Sequence, residues 1–139
     1  MVDERLVVDA SVAIKWIILE EGSILAVTLR TWRLCAPDLL LVECEQSLWR
    51  EFRRRTLSHD DALRSYVTLG QAPIAWTPTG ELAADAVAIA MTLGHSVYDC
   101  VYVALARRLN TSLVTADTKL TAAARRSRAP ARLVRPLSG

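Results

Sequence analysis

Four acidic residues, Asp9, Glu43, Asp99 and Asp117, occupy positions where a carboxylate can do chemistry. Asp9 closes the apolar run Leu6-Val7-Val8, and Asp117 follows the run Leu113-Val114-Thr115 by two residues. Both runs read as short strands. Asp99 falls in the first turn of a helix opened by Ser96, and Glu43 falls early in a helix that begins near Asp38. Carboxylates brought together repel one another, and their pKa values rise unless a positive charge sits among them. Mg²⁺ is the natural occupant, a hard cation that takes one or two carboxylates and keeps several waters. There it polarises a phosphoryl oxygen and helps to generate hydroxide for in-line attack. Each acid also has a local explanation. Asp9 and Asp117 suit N-caps, Ser96-x-x-Asp99 approximates a capping box, and Glu43 suits a solvated helix face. Taken jointly these explanations weaken, because independent caps have no reason to gather at one place.

The elements that must position these acids follow from periodicity and punctuation. Apolar β-runs occur at 6–8, 34–36, 74–76 and 113–115, with a fifth at 133–134. Between them lie helical patterns over 10–19, 38–54, 79–93, 96–109 and 118–126. Ser23 can cap a helix running to Trp32, and Ser58 one that ends between Gly70 and Pro73; Gly94 stands where a C′ glycine belongs. Strands alternating with helices indicate an α/β sandwich with a mainly parallel sheet flanked by helices. The length fits one domain over 1–139. In such sheets the ligand site lies at the carboxyl ends of the strands. If the strands at 6–8 and 113–115 are neighbours, the four acids converge there.

Composition excludes several other classes. The chain is 52% hydrophobic and 23% charged, as globular proteins are. No apolar run approaches the roughly 18 residues of a membrane span, and the start of the chain lacks the pattern of a signal peptide. Cys35, Cys44 and Cys100 are odd in number, widely spaced and set in apolar stretches, which fits a reducing, cytoplasmic setting rather than a disulfide or zinc framework. The net charge is only +2, yet from Cys100 onward Asp117 is the one acid against eight basic residues. Arg107, Arg108, Arg125 and Arg126 are the candidates there for contact with RNA phosphate. Only Lys15 and Lys119 among 17 basic residues are lysine, so a general preference for arginine explains the cluster equally well.

At the acidic residues the sequence resembles a known family. Val8-Asp9-Ala10-Ser11-Val12, Pro37 followed six residues later by Glu43, Tyr98-Asp99-Cys100-Val101-Tyr102 with Ala104-Leu105-Ala106, and Leu113-Val114-Thr115-Ala116-Asp117 look like the PIN domain, in particular the VapC-type toxins of bacterial toxin–antitoxin pairs. The likeness runs from about residue 6 to 135. It implies a three-layer sandwich with a five-stranded sheet, a Mg²⁺ (or Mn²⁺) site, and endonucleolytic RNA cleavage leaving a 3′-hydroxyl and a 5′-phosphate. It further implies Asp9 and Asp99 as principal metal ligands, Asp117 as a direct or water-mediated ligand, and Glu43 completing the cluster. Ser11 and Thr115 match positions whose hydroxyls orient the acids. A homodimer and a small antitoxin whose C-terminal segment inserts near the site are implied as well. One departure concerns position 46, where relatives often carry Asn and this chain has Gln46, a longer amide still able to support Glu43. Periodicity does not choose between Glu43 and Glu45; the distance from Pro37 favours Glu43 through the resemblance.

Other readings fit less well. His59 and His95 give no nucleophilic triad, and no P-loop or G-x-G-x-x-G is present. His95 reads as loop surface. A receiver-like domain wants an acidic pair after strand one, and an Asp-x-Asp phosphatase loop wants Asp where Ser11 stands. A non-catalytic nucleic-acid or protein binding module of the same fold is the alternative from another class. Loss of acids would mark it, and all four are present. Trp16, Trp32, Trp49 and Trp76 read as core or interface residues, as do Tyr98 and Tyr102. Lys15, one turn beyond Ser11, can point to the site or to solvent.

Overall fold

Leu6, Val7 and Val8 are all fully buried, although successive strand residues point to opposite faces of a sheet. Both faces of the strand that carries them are therefore covered, as in parallel α/β sheets. The computed structural model describes residues 5–18 and 32–133. In chain order these form β1 (Arg5–Val8), α1 (Ala10–Ile18), β2 (Arg33–Pro37), α2 (Leu39–Arg53), α3 (His59–Gly70) and β3 (Ile74–Thr77). A 3-10 turn (Thr79–Leu82) leads to α4 (Ala83–Leu93), α5 (Val97–Leu109), β4 (Ser112–Thr115), α6 (Thr118–Arg126) and β5 (Ala131–Leu133). The helix expected between Ser23 and Trp32 lies outside the described residues, as does Val134 of the expected fifth strand.

The five strands run in the order β3-β2-β1-β4-β5, and every pairing is parallel. From β1 the chain builds outward through β2 and β3, then returns to add β4 and β5 on the other side. The reversal lies between β1 and β4, where Val7 is opposite Leu113 and Val8 opposite Val114. That seam is the topological switch point, and the crevice beyond its carboxyl ends is the general ligand position of such folds.

α5 is the central helix. Seven consecutive residues, Cys100 to Ala106, are buried, so it is covered all round, and it packs on β1, β2, β4 and α4. Its direction follows from both ends. Gly94 takes the left-handed conformation (φ +64°) that closes α4, and after Leu109 only Asn110 and Thr111 intervene before β4. The Thr111 hydroxyl donates to the carbonyl of Arg5, the first residue of β1. α5 therefore starts beside the carboxyl ends of the strands and ends at their amino ends.

Capping expectations are met at Ser58 and Asp117 but not at Ser96. Ser58 Oγ accepts from Asp61 N at 3.0 Å, and Asp117 caps α6. Ser96 precedes α5 but its side chain makes no capping bond. The helix expected over 79–93 begins with a 3-10 turn because Thr79 is held from outside. Its N–H (2.9 Å) and hydroxyl (2.6 Å) both donate to Asp38 Oδ1, and its hydroxyl oxygen accepts from Leu39 N at 2.9 Å. This pair ties the start of α2 to the end of β3. Among the described residues, no single helix is long and apolar enough to cross a membrane.

Candidate active site

Asp9 is the first residue after β1 and is 5% exposed. Its Oδ1 accepts from Ser11 Oγ at 2.6 Å and from Val12 N at 3.2 Å, so it caps α1 as its local explanation requires. Its Oδ2 accepts from Thr115 Oγ1, the last residue of β4, at 2.5 Å. A cap needs no such bond across the seam. Burial, reinforced by the negative charge of Glu43, pushes the Asp9 carboxyl up to about 6 against the pull of these hydrogen bonds.

The loop after β4 is folded onto the same two hydroxyls. Ala116 N donates to Ser11 Oγ at 2.9 Å, and Asp117 N donates to Thr115 Oγ1 at 3.0 Å. Asp117 Oδ1 accepts from Lys119 N (2.9 Å) and Leu120 N (3.4 Å), the N-capping role. Its Oδ2 takes no hydrogen bond from the described residues, which leaves that oxygen available.

Glu43 and Glu45, two residues apart on α2, part company. Glu43 is half-buried and its Oε1 accepts from the Tyr102 hydroxyl at 2.5 Å. Burial, with the charge of Asp99 beside it, raises its carboxyl above the usual range. Glu45 is exposed and lines an apolar surface groove with Trp49, Phe52 and Tyr66. Asp99, in the first turn of α5, accepts from His95 Nε2 through Oδ2 at 2.8 Å. The acids are thus linked in sequence by mutual repulsion, Asp9 with Glu43 and Glu43 with Asp99. Neither Asp9 nor Glu43 has an ion-pair partner among the described residues.

Several expectations need correction. Gln46 is exposed and makes no hydrogen bond to Glu43; a buried tyrosine holds that acid instead. His95 is not loop surface, since its side chain is 16% exposed and reaches Asp99. Tyr102 is 1% exposed and part of the site, whereas Tyr98, packed in expectation, is 66% exposed. For Tyr102 the signal was present in spacing, since 99 and 102 lie one turn apart on α5, whereas His95 precedes that helix. Trp49 is also not core: it is 53% exposed with Arg53 stacked 5.4 Å from its ring centre. Lys15 is buried on α1 rather than reaching solvent.

The four candidate RNA-contact arginines lie away from the acids. Arg107 comes eight residues after Asp99, about 12 Å along α5 at 1.5 Å per residue. It and Arg108 sit at the amino end of the sheet, and Arg125 and Arg126 end α6 at the same level, just before β5. Arg107, Arg108 and Arg126 line a groove of about 480 Å³ with Asp85. Arg108 Nη2 donates there to the Glu81 carbonyl at 2.9 Å.

Among the described residues, no group of three or more His, Cys, Asp or Glu side chains is placed to hold a metal ion by itself. An open cluster is what Mg²⁺ requires, because it binds through one or two carboxylates and retains waters. The donors are hard carboxylate oxygens, their supports at Asp9 and Glu43 are hydroxyls and a backbone N–H, and no cation among the described residues pairs with those two acids. Cys44 lies beside Glu43, but burial pushes its thiol up to about 12, so it stays protonated at neutral pH. These residues fit a hard divalent cation.

Residues 6–126 match the model of the PIN domain family. Ribonuclease VapC3 of Pyrobaculum aerophilum is 33% identical over 120 residues, which cover 84% of this chain and 92% of that protein. Among solved structures, VapC20 of Mycobacterium tuberculosis, a sarcin–ricin loop cleaving toxin, aligns with a TM-score of 0.66 at 16% identity, covering 85% of this chain and 94% of that one. A toxin–antitoxin complex from Klebsiella pneumoniae aligns with a TM-score of 0.63 at 16% identity, covering 84% and 90%.

Proposed function

This chain belongs to the PIN domain family, and from that footing we propose that it is a divalent-metal-dependent endoribonuclease, the toxin of a toxin–antitoxin pair. The observation that carries the proposal is the gathering of Asp9, Glu43, Asp99 and Asp117 around the β1–β4 switch point, with no cation among the described residues paired to buried Asp9 or half-buried Glu43.

Asp9 and Asp99 would hold the ion, Mg²⁺ or Mn²⁺ in its place, with Asp117 as a direct or water-mediated ligand. Glu43 completes the negative shell. When bound there, the ion polarises a phosphoryl oxygen and helps water attack phosphorus in line, so that the bond to the 3′-oxygen breaks. The protein's own part is positioning. Ser11 and Thr115 fix Asp9 by separate oxygens, and the same hydroxyls fix the loop that carries Asp117. Without the ion the cluster repels an RNA phosphate, which ties cleavage to metal. The products are a 3′-hydroxyl and a 5′-phosphate.

The 139 residues act as one domain, in the cytoplasm and as a homodimer, under the control of a small antitoxin. The VapC3 relative is named a ribonuclease, and one structural neighbour is a toxin–antitoxin complex; both support this reading. The test is incubation of the purified, antitoxin-free protein with total cellular RNA, with Mg²⁺ or with EDTA. Discrete Mg²⁺-dependent fragments bearing 5′-phosphates are expected. Binding of RNA without any cleavage favours the non-catalytic module.

A further inference from the structure

Asp9 is held by both of its oxygens, but Glu43, Asp99 and Asp117 are each held by one, and for Glu43 and Asp99 the holding group comes from the short stretch 95–102. His95 lies two residues before α5, and Asp99 and Tyr102 lie one turn apart near its start. His95 Nε2 donates to Asp99 Oδ2 at 2.8 Å, and the Tyr102 hydroxyl donates to Glu43 Oε1 at 2.5 Å. Resting on the metal-centre reading above, we infer that Tyr102 and His95 are positioning residues that fix Glu43 and Asp99 for a divalent cation.

Three observations carry this. First, the acceptor oxygens leave their partners open: Glu43 Oε2 and Asp99 Oδ1 take no hydrogen bond from the described residues and remain for the ion or its waters. Second, Tyr102 is 1% exposed, so its ring has no freedom and its hydroxyl is aimed by packing. Glu43 by contrast has a long side chain on a different helix, and the hydroxyl is the only group that fixes it among the described residues. Third, the donor to Glu43 is neutral. A phenol carries no charge at neutral pH, so it donates to Glu43 without bringing a positive charge to the site. A lysine or arginine in its place would hold the acid equally well but would cancel the charge the cation needs. Outer partners of this kind orient metal ligands and are worth about 10–100-fold in affinity.

The test is calorimetric titration of Mn²⁺ alone into the metal-free protein, with thermal melts on the same samples. Tyr102→Phe and His95→Ala are each expected to weaken Mn²⁺ binding about tenfold or more. His95→Gln, which keeps a donor, is expected to recover part of the loss. In a Glu43→Ala background, Tyr102→Phe should cost no further affinity, because its target is gone. Wild-type affinity in Tyr102→Phe, or the same loss with and without Glu43, overturns the role given to Tyr102. Should Tyr102→Phe fail to fold, the less buried His95 pair decides, and equal binding by His95→Ala and wild type overturns the proposal. Wild-type protein that binds Mn²⁺ yet cleaves no RNA leaves the positioning role standing and removes the nuclease. Wild-type protein that binds no Mn²⁺ removes both.

Discussion

Thr115 Oγ1 donates to Asp9 Oδ2 at 2.5 Å, joining residues 106 apart in sequence across the seam of β1 and β4. The same hydroxyl oxygen accepts from Asp117 N at 3.0 Å. One buried side chain therefore serves both acids that follow the two central strands. Thr115→Val keeps the shape but leaves a buried carboxylate oxygen and the Asp117 N–H without that partner. We expect a loss of about 1–3 kcal/mol in urea unfolding and a fall in kcat/KM of about tenfold or more. Thr115→Ser should restore most of both.

Asp9 makes stability depend on pH in a definite sense. Its carboxyl is pushed up, to about 6 from 3.8, chiefly by burial. The neutral form is favoured by folding, so the contribution is fully present below pH 3.8 and is lost as pH rises through 6. Two units correspond to about 3 kcal/mol as an order of magnitude. Metal-free protein should melt at higher temperature near pH 5 than near pH 7, and Asp9→Asn should remove that slope while raising stability at neutral pH. Added Mg²⁺, which binds the ionised form, should flatten the wild-type profile. Parallel profiles for Asp9→Asn and wild type would count against the environment described for Asp9.

Glu43 and Glu45 give a paired prediction. Glu43→Gln keeps the acceptor for Tyr102 but removes the charge beside Asp9 and Asp99, and cleavage should fall about tenfold or more. Glu45→Gln alters an exposed residue and should leave activity near wild type and stability within about 0.5 kcal/mol. Steady-state kinetics on one RNA substrate, with melts as control, separates them.

The arginines give a prediction of distance. Arg107 and Arg126 lie at the amino end of the sheet, so Arg107→Glu and Arg126→Glu should not change kcat/KM for an RNA too short to reach from the acids to that end. A drop with the short substrate would mean that these side chains approach the cleavage site.

The positions of Asp9 and Asp117 were legible because a short apolar run ending in an acid fixes both an element and its boundary. Convergence was legible only as a condition, since periodicity cannot say that β1 and β4 are neighbours. The choice between Glu43 and Glu45 was hidden for a physical reason. α2 buries Leu40, Cys44 and Leu48, but Val42, Trp49 and Phe52 are exposed on it, so apolar residues surround both acids in the helical pattern. Tyr102 and His95 were missed because each has an ordinary reading, core aromatic or loop polar residue, that only the hydrogen bonds displace. The arginines were named as candidates for RNA contact from charge alone. Their remoteness follows from the direction of α5, which the sheet order dictates.

The most direct measurement compares RNA cleavage by wild type, Asp9→Asn and Asp99→Asn with Mg²⁺ present, folding being verified by melting. The account predicts that both substitutions abolish cleavage while the folded state is retained, as removing charge relieves repulsion within the cluster. Cleavage retained by both variants would contradict the assignment of Asp9 and Asp99 as the groups that hold the metal.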